Sequence, residues 1–490
     1  MASLTPRQWL AFALVATLAF RFWLAAALPI TGDEAYFILW GRYPDIGFYD
    51  HPPMVGWLLA PLLSVSEAPW VLRLPVLLLP VLVALLVRHA LAAWFGRDAD
   101  TADLAAIAVL LVPLNVWNVF ITTDTPLVLF SVASLLAFAR GRFLLAGVLL
   151  GLAFLSKYFA VLLGMSYLVW ALAARRPRAF ALVFAGALPF ALLNLYWNWQ
   201  ACWCNVMFNA VNRHGDAGLS FATPALYAAS LAYLAAPLLW FAWRGRGKLR
   251  AALARPGEGA LLAAWLVPLL VFALLSPVRR IGLHWLLSFV PAIILTVALA
   301  LERRALVITG RWFAGFAVLH AVALAVLVAM PLETWKSTRL YKSLVMLADP
   351  GAVLLPLASR LEGATLAYES YAMAAVLSFH ARRVVPVFGP GSSHARHDDI
   401  LTDWRAFQGR DLVILGREPL ALQEYRPYFR EVEARRIEAR GATFHVVLGR
   451  GFDYAAYREG VLKPVRERWY RIPRGLPVGR CYFFERYGFQ

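Results

Sequence analysis

Long runs of uncharged apolar residues recur from residue 8 to residue 330, and most of them stop at a cluster of arginines. About 20 apolar residues is the length of helix that crosses the ~30 Å hydrocarbon layer of a bilayer, and a succession of such runs has no other solvent to fold in. Of the 490 residues only 16% are charged, against roughly 25% in a soluble domain. The fold class expected is a polytopic α-helical membrane protein. Its 19 Trp, 18 Tyr and 31 Phe suit the aromatic belts that form where membrane meets water.

Cut at charged or Gly/Pro-rich breaks, the runs predict eleven spans: 8 to 29, 69 to 94, 102 to 120, 125 to 139, 143 to 157, 158 to 173, 179 to 197, 223 to 243, 259 to 277, 283 to 301 and 306 to 330. Connections that stay in the cytoplasm are enriched in Lys and Arg. This rule assigns Arg97, Arg140 and Arg142, and the clusters at 175–178, 244–255 and 303–311 to the cytoplasmic face. The run from 143 to 173 is read as two helices turning at Lys157, because one continuous helix would put the Arg140 and Arg175 clusters on opposite sides. The segments 30 to 68, 118 to 125, 156 to 158, 198 to 222 and 278 to 282 then face outward, with the N-terminus inside. The first run follows Arg7 and ends in Ala25, Ala26 and Ala27, as a signal peptide does, but Arg21 interrupts it and its length favours an uncleaved first helix.

After Met330 the chain changes character. The last 160 residues hold 24 Lys/Arg and 17 Asp/Glu, close to the charge content of a soluble domain. Short β-prone runs, ATLAY (364 to 368), RVVPVF (383 to 388), DLVILG (411 to 416) and TFHVVLG (443 to 449), alternate with helix-compatible stretches. The expectation is a membrane domain over 1 to 330 and a small soluble α/β domain over 331 to 490, placed outside by the odd span count. The stretch GPGSSHARHDD (389 to 399) reads as a flexible surface loop.

The net charge of +18 does not point to nucleic acid, because the basic residues are dispersed between apolar runs where they set topology. Three cysteines are too few for a disulfide framework, although a bridge from Cys481 to Cys202 or Cys204 is compatible with an oxidising compartment. No Cys/His spacing matches a zinc module.

The outward-facing loops hold the chemistry. The first, TGDEAYFILWGRYPDIGFYDHPPMVGWLLAPLL, is too apolar for a tether and predicts short interfacial helices, the first opened by Asp33 and Glu34, where carboxylates suit a helix N-terminus. Asp50 and His51 stand before Pro52 and Pro53, a rigid helix start. On the same side come Asp124 in NVFITTDTP, Lys157 in LSKYF, Asn209, Asn212, Arg213 and His214, and Arg279, Arg280 and His284 in VRRIGLHW. Each has an ordinary explanation: capping for Asp33, Asp50 and Asp124, snorkelling for Lys157, phospholipid contact for the arginine pair. Their gathering on one face suits transfer from a lipid-linked sugar phosphate, which needs fixed positive charge for the departing phosphate and a base for the attacking hydroxyl.

The stretches GDEAYFILWGRYPDIGFYDHPPMVGWL, TTDTPLVLF, GLAFLSKYFAVLL, LYWNWQ and GLHW, in this order, resemble the dolichyl-phosphate-mannose protein mannosyltransferase superfamily, family 39-like glycosyltransferases of GT-C fold. That superfamily includes the bacterial transferases that place aminoarabinose or galacturonic acid on lipid A. The resemblance implies Asp33 as the catalytic carboxylate with Glu34 beside it. It implies that Lys157 and the arginines at the cavity mouth, Arg213, Arg279 and Arg280, hold the carrier phosphate, and that Asp50, His51, Asp124, Tyr158 and His284 shape the donor pocket. The chain departs from the aminoarabinose transferases where it has Asp50-His51-Pro52 in place of a Glu-Lys-Pro-type sequence.

The expected reaction is an inverting displacement: Asp33 takes the acceptor's proton while the cations stabilise the leaving polyprenyl phosphate. The expected partners are a polyprenyl-phosphate-linked sugar, a glycolipid, glycan or protein acceptor and membrane lipids, with no nucleic acid and no required cofactor. Asp50 and His51 are two potential ligands for a divalent metal, short of a complete site. A multispan transporter or lipid flippase is the rival reading, which calls for ionisable groups near the bilayer midplane; Arg21 and Arg73 are the candidates there, and both are within reach of an interface.

Overall fold

The computed structural model describes residues 4–212, 218–253, 258–391 and 396–489. They form two compact units, each discontinuous in sequence: Met1–Leu28, Val65–Leu193 and Asp216–Val328 make the first, and Pro29–Ser64, Asn194–Gly215 and Ala329–Gln490 the second. The unit that carries the tail thus also takes in the first and fourth outward loops.

The first unit is a helical bundle. Among the described residues, seven helices are long and apolar enough to cross a membrane: Pro6–Ala27, Pro69–Trp94, Pro177–Gln200, Ala222–Arg244, Glu258–Leu275, Leu283–Ala300 and Arg303–Ala329. A bent pair, Tyr341–Ala348 with Pro350–Leu361, raises the number to eight if it is one span. The expectation of eleven is corrected by four short windows. The run 102 to 120 breaks at Pro113 into Ala99–Leu110 and Pro113–Trp117, and the next three runs form Asp124–Ala139, Phe143–Ser156 and Ala160–Ala173. At 1.5 Å per residue the 14-residue helices reach about 21 Å, short of the ~30 Å hydrocarbon layer. The break at Lys157 does fall where the arginine clusters required one. Leu283–Ala300 is the central helix, with 72% of its apolar window buried; Arg303–Ala329, with 11%, presents nearly all of its surface outward.

Two packing devices shape this bundle. Helix Phe143–Ser156 carries Gly147 and Gly151 four residues apart, where the backbone of Pro177–Gln200 comes so close that a Cβ on Gly147 would stand 2.1 Å from the Val183 carbonyl oxygen. Small residues at this spacing permit close helix approach in a lipid environment, where van der Waals contact rather than water exclusion drives association. The second device is Arg21, which is buried and does not extend to an interface as expected. Pro80 has no N–H to give to the Val76 carbonyl four residues earlier. The Arg21 guanidinium donates there instead (2.6 Å), and also to the carbonyls of Leu77 (3.1 Å) and Asn118 (3.2 Å). Arg73, also buried, donates to the carbonyls of Ala25 and Leu28. Both arginines are used as backbone staples.

The second unit contains a four-stranded mixed sheet of strands β1 (Ala364–Tyr368), β2 (Asp411–Gly416), β3 (Phe429–Ala439) and β4 (Ala442–Phe452), in the order β1-β2-β4-β3. β1 and β2 are parallel and the other pairings antiparallel. Three of the four β-prone runs are strands. RVVPVF contributes only an isolated bridge from Val387 to Tyr368. β3 has the sequence FREVEARRIEA, too charged to stand out, because it is a solvated edge strand; its hairpin turns at Arg440 and Gly441, both with positive φ. Helix Gly32–Arg42 of the first loop packs on helix Tyr371–Ala381 so closely that a Cβ on Gly32 would meet that of Ala372 at 2.7 Å.

A disulfide joins Cys202 to Cys481 across 279 residues of chain, and Cys204 is buried and free. Closing so long a loop restricts the unfolded chain, and removing a native bridge of this kind costs about 2–5 kcal/mol. Cys481→Ala is accordingly expected to lower the unfolding temperature of the purified protein, and dithiothreitol to lower the wild type to the same value without affecting the variant.

Candidate active site

The expected site residues fall into two clusters, one in each unit. In the first unit Asp124 opens helix Asp124–Ala139, and Lys157 ends helix Phe143–Ser156 in extended backbone. Both Asp124 carboxylate oxygens accept hydrogen bonds from the Lys157 ammonium at 2.8 Å, and Oδ2 also accepts from the Thr122 hydroxyl at 3.0 Å. The carboxylate is almost fully buried, whereas Lys157 keeps 11% of its side chain exposed. His284, half exposed, brings Nε2 to 4.0 Å from the same carboxylate. The arrangement is a fixed ammonium with an imidazole beside it. Tyr158 is half-buried with its ring 5.1 Å from that of Phe154. Arg279 is half-buried and Arg280 exposed, just beyond the end of helix Glu258–Leu275.

In the second unit Asp33 and Glu34 begin helix Gly32–Arg42, as the sequence predicts, but they do different things. Glu34 is buried, and its Oε2 accepts from the backbone N–H (3.0 Å) and hydroxyl (3.1 Å) of Thr31, closing a capping box. Asp33 is exposed, with Oδ1 accepting from the Tyr371 hydroxyl at 3.0 Å. Its carboxylate is open to solvent and held from one side.

Asp50 and His51 are also together, with His51 Nδ1 3.1 Å from Asp50 Oδ2. Asp50 Oδ1 accepts from the Tyr36 hydroxyl at 3.1 Å, and that hydroxyl in turn accepts from the His397 backbone N–H at 3.3 Å. Burial opposes ionisation of Asp50, but the charge of His51 and the hydrogen bonds from His51 and Tyr36 prevail and hold its carboxyl below the usual range. The fourth loop braces this segment: Asn205 donates to the Phe48 carbonyl, Asn209 to that of Asp50, and the Trp197 indole to the Asp45 carboxylate. Arg213 and His214 lie outside the described residues.

The expectation of a flexible surface loop at 389 to 399 is corrected for its last residues. Arg396, His397 and Asp399 are buried; Arg396 grips both oxygens of Asp399, and Tyr470 donates to Asp399 at 2.6 Å. Gly, Pro and Ser in the segment read as a solvated turn, and the charged residues at its end carry no local mark of burial, which comes from pairing within the fold. Tyr36 and Tyr371 were missed because a lone tyrosine in an aromatic loop reads as packing.

Burial pushes His397 down from its ordinary 6.5 to about 4, against the opposing charge of Asp50. Between those values the unfolded chain takes up a proton that the folded one refuses, so stability falls as pH drops from about 6.5 to 4. His397→Phe is expected to flatten that part of the stability curve, read as the change in unfolding temperature between pH 7 and pH 4.5.

Residues 50–197, which include Asp50, His51, Asp124 and Lys157, match the dolichyl-phosphate-mannose-protein mannosyltransferase family. That match covers less than a third of the chain. Among curated proteins, the lipid A galacturonosyltransferase RgtD of Rhizobium johnstonii is 31% identical over 205 residues, 38% of this chain and 43% of that protein's length. The chain therefore spans less than half of that relative. Among solved structures it resembles ArnT from Cupriavidus metallidurans bound to undecaprenyl phosphate, with a TM-score of 0.61 and 16% identity over 90% of this chain and 98% of that one. The same protein in its apo state gives 0.58. At that identity the likeness establishes the fold alone, an ArnT-like GT-C fold, which is that of a multi-pass membrane protein.

Proposed function

We propose that the protein transfers a sugar from a polyprenyl-phosphate donor to an extracytoplasmic acceptor, with lipid A the first to test. The single observation that carries this reading is the Asp124–Lys157 pair within the stretch matched to the family. It is an ammonium fixed in place by a buried carboxylate yet still reachable, which is what a departing phosphate needs. The lipid A galacturonosyltransferase relative and the undecaprenyl phosphate in the ArnT structure support the choice of acceptor and donor. In this reading Asp33 is the general base, with Glu34 anchoring the start of its helix. Lys157, Arg213, Arg279 and Arg280 receive the phosphate, and Asp50, His51, Asp124, Tyr158 and His284 line the donor pocket. The arginine-rich connections face the cytoplasm, and the loops that bear the site, with the C-terminal sheet, face the periplasm.

The test uses purified protein in detergent with an undecaprenyl-phosphate-linked sugar and lipid A. Release of undecaprenyl phosphate with matching gain of mass on lipid A supports transfer. An intact donor argues for a transporter or flippase, which has no measurable product without two compartments. Among the described residues no three His, Cys, Asp or Glu gather as a metal site would need.

A further inference from the structure

The first unit has a concave feature remote from the Asp124 cluster. An open groove runs between helices Pro6–Ala27, Ala99–Leu110 and Arg303–Ala329. It exists because small residues, Ala13, Ala16, Gly310, Ala314 and Ala317, stand where longer side chains would fill the gap. Thr17, a polar residue on the wall, turns its hydroxyl to the Ala13 carbonyl, so it adds no open donor to the groove. The two long helices run in the same direction, since Phe20 packs in one cluster with Leu324 and Val328. Leu4 and Arg303 therefore share one end. That end lies far from Asp124: Arg303 pairs with Asp100 there, and Arg140, at the end of the helix that Asp124 opens, donates to the nearby Trp94 carbonyl.

Helix Arg303–Ala329 has 27 residues, about 40 Å, which exceeds the ~30 Å hydrocarbon layer by about 10 Å. Its charged residues are confined to positions 303, 304 and 311, while from Trp312 to Ala329 it carries none but His320. The first two turns thus belong in the headgroup layer, and Arg311 stands at its inner boundary. Trp9, on the groove wall, and Trp312, both about half exposed, stand within the first turns of their helices, where an interfacial belt would lie. Beyond it the groove continues along Ala314 to Ala321 and Ala13 to Phe20, roughly 10 Å, the depth of the outer part of one leaflet.

We propose that this groove is a binding site for an anionic glycerophospholipid. Its phosphate sits at Arg303 and Arg311, and one acyl chain covers the alanine-lined wall. The charge complementarity selects an anion, since Arg303 shares Asp100 with no second acid on the groove wall among the described residues. The short apolar run favours a one-leaflet acyl chain over a long prenyl chain. The site is independent of the proposed reaction.

Full-length protein in nanodiscs, released for native mass spectrometry, tests this with phosphatidylglycerol and phosphatidylcholine of identical chains. The wild type is expected to retain phosphatidylglycerol preferentially. Arg311→Gln is expected to reduce that preference about fivefold, the share of one basic residue near a membrane surface, and Ala317→Phe to reduce retention of both lipids. Since Ala317→Phe can disturb helix packing, Arg311→Gln with an unchanged melting temperature decides the matter. Equal retention of the two lipids by the wild type, unchanged preference in Arg311→Gln, or displacement of phosphatidylglycerol by equimolar undecaprenyl phosphate would each overturn the proposal.

Discussion

Asp33→Asn is expected to lower sugar transfer by roughly 10²- to 10⁴-fold, the contribution of a positioned general base, while expression and thermal stability stay at wild-type values. The stability half of this expectation follows from the structure. Asp33 is exposed, the capping of its helix is done by Thr31 and Glu34, and an Asn oxygen still accepts from the Tyr371 hydroxyl. Asn keeps size and hydrogen bonding and removes only the basicity. The measurement is turnover by the purified variant at saturating donor beside its melting curve. Turnover within a few-fold of wild type would return Asp33 to a helix-start carboxylate and move the search for the base to the Asp50 cluster. Glu34→Gln gives the contrasting result, a change in stability with transfer largely retained.

The second large effect concerns Asp124 and Lys157. Removing one partner of a buried ion pair leaves the other charge without compensation and costs about 3–5 kcal/mol. Asp124→Asn and Lys157→Met, each alone, are expected to lower the melting temperature markedly. The double variant is expected to recover most of that loss, because neither group then remains charged and buried. Transfer does not recover with it: the double variant lacks the ammonium proposed to receive phosphate. Stability and activity thus separate in one set of four proteins. Additive destabilisation in the double variant, or restored transfer with a methionine at 157, contradicts the assignment.

Much of the membrane half was legible because its rules are local. Apolar length and arginine placement located the seven long helices and the break at Lys157. Four further windows were counted as spans because hydropathy does not report where a helix stops; Pro113 and the ends of the shorter helices do. In the tail, β1, β2 and β4 announced themselves through apolar runs, while β3 alternates charges on a solvated edge and is specified by its partner strand. The candidate site was legible only as a list of residue types. The sequence separated Asp124 from Lys157 by 33 positions and Asp33 from Tyr371 by 338, and only tertiary structure brings either pair to hydrogen-bond distance. His397 was hidden for the opposite reason, since its loop-like neighbours masked a buried position.

The discontinuity of the second unit sets a timetable for biosynthesis. The Arg42 guanidinium donates to the carbonyls of Ser378 and Phe379 across 336 and 337 residues. At translation rates of 5–20 residues per second, helix Gly32–Arg42 waits roughly 20–70 s for the surface it packs on. During that interval an apolar, aromatic stretch has left the ribosome without its partner, so the loop that bears Asp33 is the part of this unit longest exposed before folding.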